Sequence, residues 1–314
     1  MNKQHGGGGS SDRPVVVTGS SGFIGSHVVD QLSAMGRRVV GIDRRPPVDP
    51  VRPGVRYVTN DLLHLDITRE LQGASTVVHL AALPGVRPSW EHFDQYVQSN
   101  IGATRRLLEA CAEAGVRRLV IASSSSVYGD RNAGPMREDQ APAPVSPYAV
   151  TKLAAEQLAL AYAHRPETAL TTIALRFFTV YGPGQRPDML ISRIIDAALR
   201  GAEIQIYGDG SQRRDFIFVH DVVRAIVAAM DAPGGNYICN VGTGSDISVS
   251  ETIALLAKLI GREPITRMEC ARPGDVDLTR ADSIRAAELL DFRASVPFHE
   301  GLLPQIEAVR ATLT

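Results

Sequence analysis

An α/β fold, with a parallel sheet between layers of helices, is predicted for this chain of 314 residues by three observations. Short apolar, β-branched segments alternate with helical segments over most of the chain, a pattern typical of strand–helix–strand units. A glycine-rich turn separates the first of these strands from the first helix. The length is sufficient to bury the core of one large domain or of two that pack closely together.

The first unit joins a buried strand to an amphipathic helix. Val15–Thr18 are apolar or β-branched, and Gly19, Gly22 and Gly25 follow them in a tight turn. The helix after the turn has apolar residues at helical spacing, and we expect Gly36 to be its C-cap. A turn of this kind brings bare backbone N–H groups to the positive end of a helix dipole, where they can bind a diphosphate.

The second strand ends in an acidic residue, Asp43. A carboxylate at this place can accept hydrogen bonds from both ribose hydroxyls of an adenosine. Together with the glycine turn, it predicts a Rossmann-type, doubly wound sheet that binds a dinucleotide. Asp43 would repel a 2′-phosphate and therefore favours NAD, although Arg44 and Arg45 follow it directly and could accommodate NADP.

The later elements extend the same pattern. Ser248, Glu251 and Gly261 mark the cap, the first turn and the end of one further helix. Gly115 is expected to end an earlier one. The other strands are predicted near 56–59, 76–80, 118–122, 172–176 and 237–241, and the helices between them near 99–114 and 148–163.

Proline, glycine and arginine become frequent after Tyr181, which suggests a second structural unit. We predict a dinucleotide-binding domain over residues 14–180 and about 218–245, and a smaller, discontinuous substrate lobe over 181–217 and 246–314. The lobe is expected over the carboxyl ends of the strands, where such sheets bind ligands. Residues 1–13 are rich in glycine and lack the apolar core of a signal peptide, so they are predicted to be a disordered leader.

The composition excludes several classes of function. The net charge is −1, with acidic and basic residues interspersed, so no basic face indicates nucleic-acid binding. No apolar run approaches the roughly 20 residues of a membrane helix. Cys111, Cys239 and Cys270 are odd in number and do not have the spacing of a metal site, so we expect reduced cysteines in a cytoplasmic protein.

Two residues at the start of the helix near 148–163 suggest proton transfer. Tyr148 and Lys152 lie four apart and therefore share one face of the helix. A nearby ammonium group and the positive nicotinamide of an oxidised cofactor would lower the pKa of the tyrosine from about 10 towards neutrality. Tyr148 could then take a proton from a substrate hydroxyl as hydride leaves the same carbon. The serine run 123–126, at the end of a strand, can hydrogen-bond the reacting oxygen.

In this order the motifs resemble the extended short-chain dehydrogenase/reductases, specifically their nucleotide-sugar epimerases and dehydratases. The resemblance covers the chain from Pro14 to its end. The matching segments are Thr18–Gly25, Asp61–Leu62, His79–Ala82, Asn100, Ser123–Gly129, Tyr148 with Lys152, Arg176–Pro183 and Arg272–Asp275. The resemblance implies an NAD cofactor, a UDP-sugar substrate and a homodimer formed through a four-helix interface.

The family's residue roles carry over to matching positions of this chain. Ser124, Tyr148 and Lys152 correspond to the catalytic residues, and Lys152 also holds the nicotinamide ribose. Asp61 and Leu62 flank the adenine. With Tyr148 and Lys152, the implied cofactor-binding residues are Gly19, Gly22, Phe23, Ile24, Gly25, Asp43, Arg44, Asp61, Leu62, Leu80, Ala81, Ala82, Asn100, Ala122, Ser123, Phe177 and Val180.

Two serines bear on the type of reaction. Ser125 and Ser126 stand where the family's dehydratases carry an Asp-Glu pair, and Ser126 stands where the decarboxylase that makes UDP-xylose usually has a glutamate. Elimination and decarboxylation are therefore both disfavoured. Epimerisation needs no further acid: hydride leaves, the ketose rotates, and hydride returns to the other face.

Two segments resemble the UDP-glucuronate epimerases: Phe177–Met189 and Gly85–Arg87. UDP-glucose epimerases more often have asparagine where Thr179 stands. A uronate adds a carboxylate at C5, which calls for hydroxyl and guanidinium donors. Arg87 and Arg186 could instead contact phosphate or only shape a loop. The implied substrate-binding residues are Gly85, Val86, Arg87, Ser124, Ser125, Ser126, Tyr148, Thr179 and Arg186, with Tyr207, Arg214, Arg272 and Asp275 around the UDP.

The sequence therefore predicts an NAD-dependent isomerase that converts UDP-glucuronate to UDP-galacturonate at C4 through a transient 4-keto intermediate. The alternatives are UDP-glucose 4-epimerase, another nucleotide-sugar epimerase, and a reductase that consumes NAD(P)H. A non-catalytic dinucleotide sensor would have no need for an intact Ser124, Tyr148 and Lys152.

Overall fold

The computed structural model describes residues 13–48, 52–130, 134–270, 274 and 276–313. The predicted leader lies outside this range except for Arg13. The strands are β1 (Val15–Thr18), β2 (Val39–Asp43), β3 (Val55–Thr59), β4 (Thr76–His79), β5 (Arg118–Ser124), β6 (Thr171–Phe177), β7 (Thr179–Tyr181), β8 (Glu203–Tyr207), β9 (Arg213–Arg214), β10 (Phe216–Phe218), β11 (Tyr237–Val241), β12 (Ile247–Ser248) and β13 (Ile265–Glu269).

The helices are α1 (Phe23–Ala34), α2 (Ile67–Glu70), α3 (Pro88–Glu91), α4 (Phe93–Tyr96), α5 (Ala103–Ala114), α6 (Pro147–Ala163), α7 (Leu190–Arg200), α8 (Val219–Asp231), α9 (Val249–Ile260), α10 (Ile284–Leu290) and α11 (Phe298–Ala311). A π-helical turn, Val97–Gly102, leads into α5, and a 3₁₀ turn, Ser125–Tyr128, follows β5. Within the described ranges, none of the helices combines the length and the apolar character that crossing a bilayer requires.

Seven strands form one parallel sheet in the order β11-β6-β5-β4-β1-β2-β3, which confirms the predicted fold class. The chain runs outwards from β1 to β3 and then returns to build the other half from β4, so the strand order reverses between β1 and β4. A crevice opens at the carboxyl ends of the strands at such a reversal. Thr18 and His79 are register partners at that point.

The central strands of this sheet are buried on both faces, whereas the edge strand β3 is partly exposed. Val15 and Val17 pack in the core beneath α1, α8 and α10, whereas Val16, between them, packs on the opposite side with residues of α2, α5 and α6. Alternate side chains of a strand point to opposite faces, so a run of valines fills both layers at once.

Glycines end the predicted helices as expected, with one correction. Gly115 follows α5 with φ 69°, and Gly261 follows α9 with φ 78°. Ser248 and Glu251 form the predicted capping box at the start of α9. The first helix ends at Ala34 with Met35 as its C-cap, so Gly36, with φ 69°, lies one residue beyond the cap.

A second core lies on the other side of the crevice. β7 pairs with β10, β8 with β13, and β9 with β12 in two-stranded sheets, and α7, α9 and α11 pack around them. The domain division stays a prediction, and in the structure α10 packs under the main sheet: Ala286 and Leu290 share a core with α8 and β11.

Candidate active site

Two glycines of the turn after β1 have no room for a side chain. Gly19 has φ 73°, and a Cβ there would lie 2.7 Å from the backbone nitrogen of Ala81, just beyond β4. A Cβ on Gly25 would overlap the carbonyl oxygen of Gly19. The turn therefore packs backbone against backbone between β1 and α1. The N–H groups of Gly19, Ser20 and Gly22 donate to protein carbonyls, so the first turn of α1 is the part that can offer N–H groups to a diphosphate.

Asp43 lies beside this turn. One carboxylate oxygen accepts a hydrogen bond from the backbone nitrogen of Ser21 at 3.0 Å, and the other accepts one from the backbone nitrogen of Arg45 at 2.9 Å. The carboxylate is thus fixed in orientation at the end of β2, where a ribose could donate to its remaining lone pairs. Arg44 is exposed at the edge of the crevice.

Most of the other predicted cofactor residues lie at the carboxyl ends of successive strands. These positions surround the crevice from both halves of the sheet, so they fit a dinucleotide laid across the reversal point. They are Asp61 and Leu62 after β3, Leu80, Ala81 and Ala82 after β4, Ala122 in β5, Phe177 at the end of β6, and Val180 in β7.

Asn100 and Ser123 differ from this set, because their side chains bind protein groups. The Asn100 amide accepts from the backbone nitrogen of Leu83 at 2.7 Å and donates to the Leu83 carbonyl and to Thr151. The Ser123 hydroxyl donates to Glu156 at 2.6 Å. We infer that Asn100 holds the loop after β4 in place and that Ser123 contributes backbone rather than its hydroxyl to the crevice.

Tyr148 and Lys152 lie in the first turns of α6, which Ser146 caps by accepting from the backbone nitrogen of Ala149. Burial lowers the pKa of Lys152 to about 8, and the nearby Glu156 carboxylate acts against that shift. Burial raises the pKa of Tyr148, while a hydrogen bond from Ser124 and the positive charge of Arg186 lower it. The protein's own groups therefore leave the Tyr148 pKa above its ordinary value, and the predicted fall needs the nicotinamide charge in addition.

Ser124 is oriented by its neighbour. Its hydroxyl oxygen accepts from the backbone nitrogen of Ser126 at 3.2 Å and from the Ser126 hydroxyl at 2.8 Å. Since both of these bonds are accepted, the Ser124 proton is free to be donated to the Tyr148 oxygen or to a substrate oxygen. Ser125 is buried beside them.

A buried ion pair under this site was not predicted from the sequence. Glu156 lies one helical turn beyond Lys152 and accepts from Arg176 of β6 at 2.7 and 2.9 Å. Both side chains are almost fully inaccessible. Tyr148, Lys152 and Glu156 follow one another at intervals of four residues, and this spacing could have placed Glu156 on the same helix face as the other two. It could not have identified Arg176 of β6 as the partner of Glu156.

The predicted substrate residues come from both sides of the crevice. The Arg87 guanidinium lies over the Tyr207 ring, 4.1 Å from its centroid. Gly85 has φ 109°, which bends the loop that carries Val86 and Arg87. Arg214 donates to the Arg213 carbonyl at 2.9 Å. Arg272 and Asp275 lie outside the described residues, but Gly274 between them packs on Val86.

Thr179 is the first residue of β7, and Arg186 lies on the segment that joins β7 to α7. Two nitrogens of Arg186 donate to the two carboxylate oxygens of Asp188, each at 2.9 Å. The backbone nitrogen of Thr179 donates to the carbonyl of Asp215. Arg186 lies close enough to influence the pKa of both Tyr148 and Tyr96. Its positive charge therefore lowers the pKa of Tyr148.

His79 is a structural residue at the reversal point, and its tautomer follows from its neighbours. Thr104 donates its proton to the Asn100 carbonyl at 2.6 Å, so Nε2 of His79 must donate to the Thr104 oxygen at 2.9 Å. Nδ1 then accepts from the Thr18 hydroxyl at 2.7 Å. Burial and the nearby Lys152 lower the His79 pKa from 6.5 to about 3. Among the described residues, no group of metal-ligating side chains is large enough to hold an ion.

Because His79 is buried in its neutral form, we expect the protein to lose stability in mild acid. Because the pKa is lower in the folded state, the unfolded state takes up a proton first as the pH falls below 6.5. Between pH 7 and pH 5 this linkage removes about 2 kcal/mol of unfolding free energy. Urea unfolding at the two pH values tests it, with His79→Gln as the comparison. The same pH dependence of the unfolding free energy in both proteins would contradict a neutral, buried His79.

Comparison with known proteins gives consistent matches over nearly the whole chain. The model of the NAD dependent epimerase/dehydratase family matches residues 15–242. MoeE5, solved in complex with UDP-glucose and NAD, is 53% identical, with a TM-score of 0.93 over 96% of this chain and 100% of that one. MoeE5 has also been solved with UDP-glucuronic acid and NAD.

Two further relatives differ in the sugar they are named for. A UDP-glucuronic acid 4-epimerase from Bacillus cereus, solved with UDP-glucuronic acid and NAD, is 35% identical, with a TM-score of 0.90 over 95% of this chain and 99% of that one. A Bacillus subtilis protein described as an uncharacterized UDP-glucose epimerase is 37% identical over 93% of this chain and 96% of that protein.

Proposed function

This chain belongs to the NAD dependent epimerase/dehydratase family, and we propose that it interconverts UDP-glucuronate and UDP-galacturonate by epimerisation at C4. The protein is an NAD-dependent isomerase of the UDP-sugar 4-epimerase type. The uronate is the part of the assignment that is proposed, together with the roles of the individual site residues.

One residue carries the choice of a uronate: Arg186, whose guanidinium is held after β7 by Asp188 and whose positive charge lowers the pKa of Tyr148. A C5 carboxylate lies next to C4 and can pair with this guanidinium, whereas a neutral hexose offers it no opposite charge. Ser125 and Ser126 follow Ser124 without any carboxylate that would repel the uronate. The 3₁₀ turn therefore offers hydroxyl donors where dehydratases of this family carry acids.

The residues of the crevice fit an NAD molecule. Gly19 and Gly25 leave no room for a Cβ, which lets the backbone of the turn approach a diphosphate closely, and Asp43 presents a fixed carboxylate for the ribose. Lys152 would hold the nicotinamide ribose. When bound, NAD supplies a hydride acceptor for C4 and later the hydride donor.

The chain's own residues move and hold the proton. Tyr148 takes the proton of the C4 hydroxyl as C4 is oxidised, and the Ser124 hydroxyl donates to the same oxygen and fixes its direction. The sugar then turns so that its opposite face meets the cofactor, and Tyr148 returns the proton to the new C4 oxygen. No second acid or base is needed, in agreement with the serines at 125 and 126.

UDP-glucose is the second candidate substrate. Asp188 holds Arg186 in a bidentate pair and so offsets part of its charge, which would make the site more tolerant of a neutral sugar. MoeE5, which shares 53% of its sequence with this chain, has been solved with UDP-glucose.

Incubation with a panel of UDP-sugars tests the proposal. We expect UDP-glucuronate to give UDP-galacturonate, resolved by chromatography, with no steady change in absorbance at 340 nm. Conversion of UDP-glucose alone would favour the second candidate. A steady change at 340 nm would indicate a net oxidoreductase instead.

We also propose that the protein forms a homodimer through α5 and α6. α6 buries its small residues against the sheet and leaves Val150 45% exposed, and on neighbouring α4 Phe93 is 43% exposed. An apolar face of this kind is expected to be covered by a partner. Light scattering at micromolar concentration should give twice the chain mass, and Val150→Glu should shift it towards the monomer. A monomeric wild-type protein would refute the prediction.

A further inference from the structure

The C-terminal helix reaches the segment that carries Arg186 through a buried polar cluster. The cluster consists of Gln185, Ser192 and Gln305, whose side chains are 9%, 4% and 1% exposed. Its surroundings are apolar, with Tyr181, Ile191 and Leu302 in the adjoining core. Polar groups in an apolar core are costly unless they are hydrogen-bonded, so their partners show what the cluster holds together.

Gln305 of α11 is bonded to the beginning of the segment. Its amide oxygen accepts from the backbone nitrogen of Gly182 at 2.8 Å. Gly182 has φ 138°, and a Cβ there would lie 2.7 Å from Val219, so the chain can turn here only because the residue is glycine. The N–H of that turn has its buried partner in the Gln305 side chain.

Gln305 is also bonded to Gln185. Its amide nitrogen donates to the Gln185 side-chain oxygen at 2.7 Å and to the Ser192 hydroxyl at 3.1 Å. Gln185 in turn donates to the carbonyl of Val180 at 2.8 Å. The Ser192 hydroxyl of α7 donates to the Gln185 side-chain oxygen at 2.9 Å. The residue immediately before Arg186 is therefore held from β7, from α7 and from α11 at once.

The approach of α11 to β7 is itself close. Gly301 faces Tyr181, and a Cβ on Gly301 would overlap the tyrosine hydroxyl. Tyr181 donates to the Phe298 carbonyl at 3.2 Å. The helix is thus seated directly against the strand that bears Thr179 and leads to Arg186, which fixes the distance between Gln305 and the segment.

From these contacts we infer that Gln305 is a positioning residue for sugar specificity: through Gly182 and Gln185 it sets the place of the Arg186 guanidinium, and hence the preference for a carboxylated sugar. The inference rests on the proposed function. Consecutive Cα atoms lie about 3.8 Å apart, so fixing Gln185 from three sides leaves Arg186 little freedom at its Cα. A neutral sugar makes no use of that guanidinium and should be less sensitive to a shift of the segment.

Gln305→Met is the direct test, because it keeps the length of the side chain and removes both hydrogen-bonding groups. We expect kcat/KM for UDP-glucuronate to fall about 10- to 100-fold, the size of effect that a misplacement of about 1 Å can have. We expect kcat/KM for UDP-glucose to change less than about threefold. Ile306→Val, the adjacent core residue with no bond to the segment, is the matched control for a loss of packing and should leave the ratio of the two values unchanged.

Two further measurements keep the test decisive. If Gln305→Met does not fold, Ser192→Ala makes a smaller change in the same cluster and should alter the ratio in the same direction. If UDP-glucose turnover is too slow to measure, calorimetric Kd values for both sugars on a Tyr148→Phe background replace the rates. An equal loss for both sugars, or no loss in a folded variant, would overturn the inference. Failure of the wild-type protein to convert UDP-glucuronate would instead overturn the proposed function.

Discussion

Tyr148→Phe should reduce turnover by about 10²–10⁴-fold while the protein still retains its cofactor. The phenol is the proton acceptor in the proposed mechanism, and it receives a hydrogen bond from Ser124. Phenylalanine preserves the ring, which meets the Tyr96 ring edge-on at 6.4 Å. The change therefore removes the acid–base group and leaves the packing.

Product formation from UDP-glucuronate and NAD extracted from the purified protein are the two quantities to measure. Tyr162→Phe is the matched control, because it removes a tyrosine hydroxyl from the same helix, far from the site, where that hydroxyl lies 3.5 Å from Glu109. Activity of Tyr148→Phe within a factor of about three of wild type would rule out the role of the phenol.

Features formed by residues close together in the sequence could be predicted from it. The glycine turn, Asp43 at the end of β2 and the capping box of α9 are each contained in a few consecutive residues, and each was predicted. All seven predicted strands are present in the main sheet, because short runs rich in apolar and β-branched residues, bounded by turn residues, favour a buried strand.

Contacts between distant segments could not be predicted in the same way. A serine in a strand-end run looks available to a cofactor, yet Ser123 donates to Glu156, 33 residues later. Gln305 lies 123 residues from the Gly182 turn that it holds. No local pattern distinguishes a buried glutamine from an exposed one on an amphipathic helix, so such positioning residues become visible only once the helices are packed.

The Tyr148 pKa illustrates the same limit in electrostatics. The spacing of Tyr148 and Lys152 predicts that the ammonium group acts on the phenol, but in the structure Ser124 and Arg186 are the groups that lower its pKa, and burial outweighs them. Burial also lowers the pKa of Lys152, to about 8. Helical spacing brings two side chains to one face, but the degree of burial that decides their charge depends on the rest of the fold.

Arg186→Ala and Thr179→Ala should each lower the turnover of UDP-glucuronate far more than that of UDP-glucose. Oxidation at C4 of a uronate makes a β-keto acid, which loses CO₂ readily when its carboxylate is unsolvated and perpendicular to the ketone. An epimerase must hold that carboxylate in hydrogen bonds that stabilise its charge and fix its plane. Each charge-assisted bond of this kind contributes roughly 1.5–3 kcal/mol, so losing one corresponds to about a 10- to 100-fold effect.

The donors that we propose for this task belong to two segments. Ser125 and Ser126 belong to the turn after β5, and Thr179 and Arg186 lie in and after β7. Since Arg186 is already held by Asp188 at 2.9 Å, its guanidinium has a defined orientation before the sugar arrives. A fixed cation of this kind would keep the carboxylate charged and in plane throughout the lifetime of the ketone.

The two substitutions should therefore slow the turnover of UDP-glucuronate more than that of UDP-glucose, and a product of decarboxylation should be detectable. Rates for UDP-glucuronate and UDP-glucose are measured in parallel, and the UDP-glucuronate reaction is also analysed for a 4-keto-pentose nucleotide, which we expect to escape from the Arg186→Ala protein. Arg193→Ala is the control, since that arginine bonds the Gln205 carbonyl away from the crevice. Equal losses on both sugars would mean that Arg186 and Thr179 serve the diphosphate or the fold, and the assignment of a uronate would lose its main physical support.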